Sequence, residues 1–322
     1  MEQARLLADI GGTNARFAWQ ADADAPIADL VTLPCAEHAS LADVLQAYLQ
    51  RLGRPAPKRC AVAIANPVLG DRVQMTNHHW AFSISALQVH FGFERLRVLN
   101  DFSALALALP ALRAEELRQV GGGKAQLGAA IGLIGPGTGL GVSGLLPDGR
   151  GGWVPLEGEG GHVTLAGCAP REQQVLAQLA ARHGHASAER AVSGQGLVDL
   201  HAALAAIEHP GRTRPALTAA DITAAAVAGS DPCCREALNL FCALLGTAAG
   251  NLALTLGARA GVYLGGGIVP RLGSFIDASP FRARFEAKGR FSAYLAEIPV
   301  FVIQARQSPA LLGAARVLDA TQ

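Results

Sequence analysis

Residues 9–16 (DIGGTNAR) and 135–142 (GPGTGLGV) share one plan: an apolar strand enters a turn of glycine and threonine and leaves as a second apolar strand. A pattern that restarts in this way suggests two similar halves, each offering a glycine turn to a common cleft. The flanking residues agree with this plan. Segments 5–10 and 14–19 read as strands, the region 27–32 as a third, and 60–65 as a short buried strand closed by Asn66-Pro67. Residues 71–74 pair with a neighbour, and 96–99 form a strand that ends at Asn100-Asp101. Ser40 to Leu52 has helical periodicity, with Leu41, Val44, Leu45, Tyr48 and Leu49 on one side. Residues 102–109 read as a helix stopped by Pro110. After the restart, 129–135 and 142–146 read as strands, and 171–181, 196–207 and 219–227 as helices. Strands at 261–264 and 300–303 precede a last helix at 309–318. Strands mixed with helices indicate an α/β protein. At roughly 100–200 residues per domain, 322 residues suit two lobes.

Composition narrows the function classes. Half the residues are apolar and 16% are charged, so large cores can be buried, and the formal net charge is +1. A nucleic-acid binder usually carries a strong basic excess, so a small polar ligand is expected instead, with no nucleic acid as partner. The six cysteines form no CxxC pair and read as reduced thiols of a cytoplasmic protein. Glu2 and Asp9 are wrong for a signal peptide. Residues 238–258 carry no charge and are long enough to span a bilayer, at about 20 residues. Asn239, Asn251 and several glycine and threonine breaks dilute this run, which reads as a buried core helix with no membrane involved. Asp231 supplies its N-cap, Pro232 its first position and Gly257 its end.

Three glycine-rich turns follow strands, at 11–13, 135–141 and 265–267. Glycine lets backbone N–H groups approach an anion closely. Thr13 and Thr138 add hydroxyls suited to phosphate or to water around a metal ion. Asp9 is a carboxylate placed to face Mg²⁺, which binds through one or two carboxylates, waters and substrate phosphates. Each turn alone reads as an ordinary hairpin; together they point to a nucleotide site. No GxxxxGK[ST] loop is present. The glycines of 135–141 lead into a strand, with no acidic ribose partner about 20 residues on, so a dinucleotide fold is disfavoured.

The polar candidates form a second set. Asn100 can donate and accept hydrogen bonds, and Asp101 can take the proton of an attacking hydroxyl; the plain alternative is a helix cap. In EGEGGH (157–162), flanking glycines expose Glu159 and His162, which can address a polyol. Those two also raise the idea of a metal site, but only Cys168 follows within reach, too few ligands for a closed zinc shell. Glu189, in HASAER, either joins the polyol set or favours a helix dipole. Asn77, in NHHW, is a candidate lining residue.

These residues carry a family resemblance. LLADIGGTNARFA (6–18), AVAIANPVLGDRVQMTNHHWAFSI (61–84), NDFSALALA (100–108), GPGTGLGV (135–142), EGEGGHV (157–163), SAERAVSGQGL (187–197), GNLAL (250–254) and GGGIVPR (265–271) occur in one order. The chain resembles the bacterial glucokinases of the proteobacterial type, within the actin, hexokinase and heat-shock ATPase superfamily, over about residues 5–316. The resemblance implies an α/β, two-lobed actin/hexokinase-like (ribonuclease H-like) fold with the active-site cleft between a smaller α/β and a larger α+β lobe. It implies a discontinuous small lobe of residues 1–109 and 301–322, with 110–300 as the large lobe.

The resemblance also implies ATP with Mg²⁺ as cofactors and phosphorylation of the 6-hydroxyl of glucose. Asp101 matches the catalytic base, and Asn100, Asp101, Glu159, His162 and Glu189 match the sugar contacts, with Asn77 added as a lining residue. Asp9, Gly11, Gly12, Thr13, Asn14, Gly137, Thr138 and Gly139 match the phosphate loops and Asp9 the metal position. Gly265, Gly266 and Gly267 match the loop near the adenosine. A homodimer is implied too. The CxGxxGCxE motif of a related zinc-binding repressor and kinase group is absent here, so no structural zinc is expected. Leu156-Glu157-Gly158 stands where close relatives usually have a proline before the glycine. Rival readings are a kinase for another hexose, a sugar-responsive regulator without catalysis, and a superfamily ATPase acting on another protein.

Overall fold

The computed structural model describes residues 3–209, 216–305 and 308–319. The chain divides into two compact units, Met1–Arg113 with Ala305–Gln322, and Ala114–Gln304. Each crossing falls four residues beyond the 109/110 and 300/301 divisions read from the sequence.

The first unit begins with β1 (Arg5–Ile10), β2 (Asn14–Gln20) and β3 (Ala28–Pro34), followed by α1 (Leu41–Leu52) and β4 (Arg59–Ile64). A small hairpin of β5 (Arg72–Gln74) and β6 (Ala81–Ser83) leads to α2 (Ile84–Phe91), β7 (Arg95–Asn100) and α3 (Asp101–Ala108). Its main sheet runs β3-β2-β1-β4-β7, with β1, β4 and β7 parallel and β1–β2 an antiparallel hairpin. β1 is buried at every position, as expected of a central strand covered on both faces. The side chains of Leu6, Ala8 and Ile10 pack with the buried stripe Leu41, Val44, Leu45, Tyr48 and Leu49 of α1. That stripe is the one its periodicity requires. Ser40 caps α1 by accepting from the Asp43 N–H, and Gly53 ends it at φ 60°.

The second unit opens with the edge strand β8 (Leu117–Val120), then the hairpin β9 (Ile131–Pro136) and β10 (Leu140–Pro147), and β11 (Trp153–Pro155). Helices α4 (Pro170–His183), α5 (Ala188–Ala191), α6 (Gly194–Glu208), α7 (Ala219–Ala228) and α8 (Pro232–Leu256) follow. After them come β12 (Val262–Leu264), three short helices α9 (Phe275–Ala278), α10 (Phe281–Glu286) and α11 (Ser292–Ala296), and β13 (Val300–Ile303). The sheet order is β11-β10-β9-β12-β13-β8. β9, β12 and β13 are parallel and β9–β10 is an antiparallel hairpin. This repeats the plan of the first sheet, with β8 added at one edge. Helix α8 is long and apolar enough to cross a membrane, yet 72% of its most apolar window is buried within the protein. It is the central helix of this unit's core, capped by Asp231 with Pro232 in its first turn and ended by Gly257 at φ 61°.

The chain then returns to the first unit as α12 (Pro309–Asp319). Leu311, Ala314, Ala315 and Leu318 of α12 cover Leu7, Ala18 and Ala61, the sheet face opposite α1. Arg5, buried in β1, donates to the Asp319 carboxylate at 2.5 Å and to the Ala315 carbonyl at 3.4 Å.

Candidate functional site

Register gathers the first unit's candidates. Ile10 pairs with Ile64, and Ile64 with Asn100, so β1, β4 and β7 end at one sheet edge. The carboxyl ends of parallel strands are where open α/β sheets bind ligands. Gly11, Asn66 and Asp101 lie there together. In the turn after β1, the Gly11 N–H donates to the Asn14 carbonyl at 3.0 Å, and the Cys35 N–H donates to the Thr13 carbonyl at 2.8 Å. The Cys35 thiol donates to the Gly11 carbonyl at 3.3 Å. Thr13 is left exposed. A β-carbon on Gly12 would lie 3.1 Å from Asn77, so the turn and Asn77 are in close approach.

Asn100 is the N-cap of α3: its side-chain oxygen accepts from the Phe102 N–H at 2.9 Å and from the Ser103 N–H at 3.3 Å. Asp101 is the first residue of that helix and also accepts from the Phe102 N–H, at 2.9 Å. The cap reading of the Asn-Asp pair therefore holds for Asn100, and it leaves Asp101 half-buried at the strand end. The Asn100 amide donates to the Asn66 carbonyl at 3.4 Å, and the buried Asn66 side chain accepts from the Thr76 N–H at 2.9 Å. Asn66 thus ties the end of β4 to the segment that carries Asn77, a part that reading Asn66-Pro67 as a strand stop does not reveal.

Asp9 faces Arg16 across the β1–β2 pair. Its Oδ2 takes the Arg16 guanidinium at 3.1 Å and the Ser308 hydroxyl at 2.7 Å. The carboxylate is almost fully buried while Arg16 is half exposed. Both partners escape a sequence-only reading: Arg16 lies one turn along the chain, Ser308 nearly three hundred residues away. A single fixed carboxylate is the kind of group that holds Mg²⁺ through water.

In the second unit the same logic brings the remaining candidates together. β9 and β12 are parallel, and the Gly265 N–H donates to the Ile134 carbonyl at 2.9 Å. Gly266 has φ 73°, and a β-carbon there would press on the Pro136 carbonyl, so only glycine suits this position. The 265–267 turn is thereby stacked on the 136–140 turn. Within that second turn the Gly137 N–H donates to the Gly139 carbonyl at 2.8 Å, and the Gly137 carbonyl accepts from Gly194 N–H at 2.9 Å. Thr138 is exposed, and a β-carbon on Gly137 would meet nothing.

The EGEGGH loop forms a single 3-10 turn at Gly160–His162, its backbone laid on β10. A side chain on Gly161 would strike the Leu140 carbonyl, and one on Gly160 would come within 2.8 Å of Val142. Glu159 and His162 are exposed, with Glu159 Oε2 and His162 Nε2 4.0 Å apart. The Ala188 N–H donates to the Val163 carbonyl at 2.9 Å and the Leu165 N–H to the Ala186 carbonyl at 3.0 Å, which brings α5 alongside this loop. Glu189, in the first turn of α5, uses its carboxylate to accept the Leu140 N–H at 2.8 Å.

One further donor group gathers elsewhere in this unit. Among the described residues, His201, Asp231 and Cys234 bring ligand atoms within 4.8 Å of one another. Asp231 caps α8 there by accepting the Cys234 N–H at 3.0 Å, and the amide end of a long helix disfavours a cation.

Comparison with known proteins gives the family. The glucokinase family model matches residues 6–321. A curated glucokinase of Aromatoleum aromaticum is 58% identical over 316 residues, covering 98% of this chain and 94% of its own. Among solved structures, a glucokinase from an Antarctic psychrotroph is 37% identical, with TM-score 0.88 over 99% of this chain and 100% of that one. The glucokinase of Balamuthia mandrillaris in complex with glucose shares the fold, at 22% identity and TM-score 0.82 over 99% of this chain and 94% of its own. The two-unit fold, the repeated strand–turn–strand plan and these matches have one conclusion: the chain belongs to the glucokinase family.

Proposed function

We propose that the protein transfers the terminal phosphoryl group of ATP to the 6-hydroxyl of D-glucose, with Asp101 as general base. Phosphoryl transfer depends on in-line placement and neutralisation of charge more than on covalent chemistry. The observation that carries the reading is the shared backbone at Gly139–Leu140, where a phosphate-type turn meets the carboxylate of Glu189 and the loop of Glu159 and His162.

Asp101 accepts the proton of the attacking hydroxyl as its oxygen bonds to the terminal phosphorus and the bond from that phosphorus to the leaving ADP breaks, and Asn100 holds the head of α3 that presents Asp101. Asn77, Asn100, Glu159, His162 and Glu189 take the ring hydroxyls. The backbone turns at Gly11–Asn14 and Gly137–Gly139 cradle the phosphates with the hydroxyls of Thr13 and Thr138, and Gly265 and Gly266 lie by the adenosine. Bound Mg²⁺ supplies charge neutralisation at the phosphates; Asp9, fixed by Arg16 and Ser308, would hold it through water. Reading the protein as cytoplasmic is supported by its free cysteines, five of them buried. A homodimer is proposed from the family resemblance, and sedimentation velocity checks it.

The deciding experiment is kcat/KM for glucose, mannose, fructose and N-acetylglucosamine with ADP release as readout. Glucose is expected to lead the panel. ATP turnover that ignores added sugar would contradict the reading.

A further inference from the structure

Leu140 is held from both sides. Its N–H is taken by Glu189 Oε2 at 2.8 Å, and its carbonyl lies where a side chain on Gly161 would have to be. The residue before it is Gly139, in the nucleotide turn. A β-carbon on Gly139 would collide with Glu189 Oε2 and sit 3.2 Å from its carboxyl carbon. Gly139 is not in the left-handed region, so its backbone does not demand glycine. What a β-carbon there would meet is the carboxylate end of Glu189, a side chain that would have to move aside. Gly137, two residues earlier in the same turn, shows the contrast: a β-carbon there meets no protein atom within 4 Å.

We propose that Gly139 is a positioning residue for the sugar, and that Glu189 couples the sugar and nucleotide sites through the Leu140 N–H. The bare Cα of Gly139 leaves room for the carboxylate to stand where it serves a sugar hydroxyl with one face and the nucleotide turn with the other. Occupation of either site fixes the same carboxylate, so each ligand lowers the cost of ordering it for the other. Such coupling is reciprocal by thermodynamic necessity. The inference rests on the assignment of Glu189 to the sugar.

Two variants test it by equilibrium binding of D-glucose and of ADP, each alone and with the other at saturation, with thermal unfolding as the check on folding. In wild type each ligand is expected to tighten the other by the same factor. Gly139→Ala is expected to weaken glucose binding roughly tenfold or more, the scale of a displaced charged hydrogen bond. Glucose binding by folded Gly139→Ala equal to wild type would overturn the positioning role. Should Gly139→Ala fail to fold, Glu189→Asp withdraws the carboxylate from Leu140 without touching the turn. It is expected to weaken glucose binding and to abolish the mutual tightening of glucose and ADP; a mutual tightening equal to wild type would overturn the coupling. Failure of wild type to bind or phosphorylate glucose would instead remove the functional reading beneath both.

Discussion

Asn100 has two tasks that one substitution can separate. Its oxygen caps α3, and its amide points to the Asn66 carbonyl and is proposed to meet the sugar. Aspartate is as good an N-cap as asparagine, so Asn100→Asp is expected to keep the cap and to lose about 0.5–1.5 kcal/mol with the amide bond to the Asn66 carbonyl, read by denaturant unfolding. It removes the amide donor, and KM for glucose should rise. Asn100→Ala removes both and should also cost about 1 kcal/mol of stability. A rise in KM confined to the alanine variant would mean that only the cap matters. Most of the candidate residues were legible in sequence because they stand beside glycine or at a strand end; Asn77 and Glu189 do neither. The candidates' partners were not: Arg16, Asn66 and Ser308 become visible only through strand register and chain return.

At the scale of elements, α12 and α3 approach closely enough that a β-carbon on Gly313 would overlap the Ala104 carbonyl. Backbone on both sides prevents local adjustment, so Gly313→Ala is expected to cost about 1–3 kcal/mol as overpacking, read as a lowered denaturant midpoint with normal expression of the remaining fold. An equal midpoint would contradict that packing. Helices α4 and α10 are joined by Glu172, which takes the Arg284 guanidinium at 2.5 and 2.9 Å and the Cys168 N–H at 2.7 Å. Burial alone raises the Glu172 pKa, but the Arg284 and Cys168 hydrogen bonds outweigh it and hold the carboxyl below its usual value. A lowered folded pKa gives stability that is complete above the unfolded value, about 4.3, and is lost as pH falls through the folded one. Glu172→Gln should therefore flatten the acid limb of the stability curve and lower stability at neutral pH by about 1.5–3 kcal/mol. An unchanged acid limb would show that other groups govern it.

Long elements with one dominant pattern were readable: α1 from its stripe and caps, α8 from its apolar length between Asp231 and Gly257. Helix α2 was not, because ISALQVHF is apolar almost all round and too short for a period, although Ser83 and Gly92 do mark its ends. The edge strand β8 was hidden for a related reason. LRQV has little hydrophobic signal of its own and is a strand because β13 pairs with it.

Across the whole molecule, the restart seen at DIGGTNAR and GPGTGLGV is a repeat of topology. Both sheets place an antiparallel hairpin beside two further parallel strands in the same order, and in each the glycine turn joins the hairpin. Hydrophobic pattern could not show this, since strand order is set by crossovers that leave no local trace. The return of α12 to the first unit is of the same kind, secured by buried Arg5 and by Leu311, Ala314 and Leu318. The identity of the sugar is legible in neither pattern nor topology; family membership supplies it.

The central claim is that Asp101 is the base, and the direct test is Asp101→Ala in steady-state kinetics with parallel ADP binding. The account predicts kcat reduced by about 10²–10⁴ with ADP affinity near wild type. Turnover at the wild-type rate would contradict it.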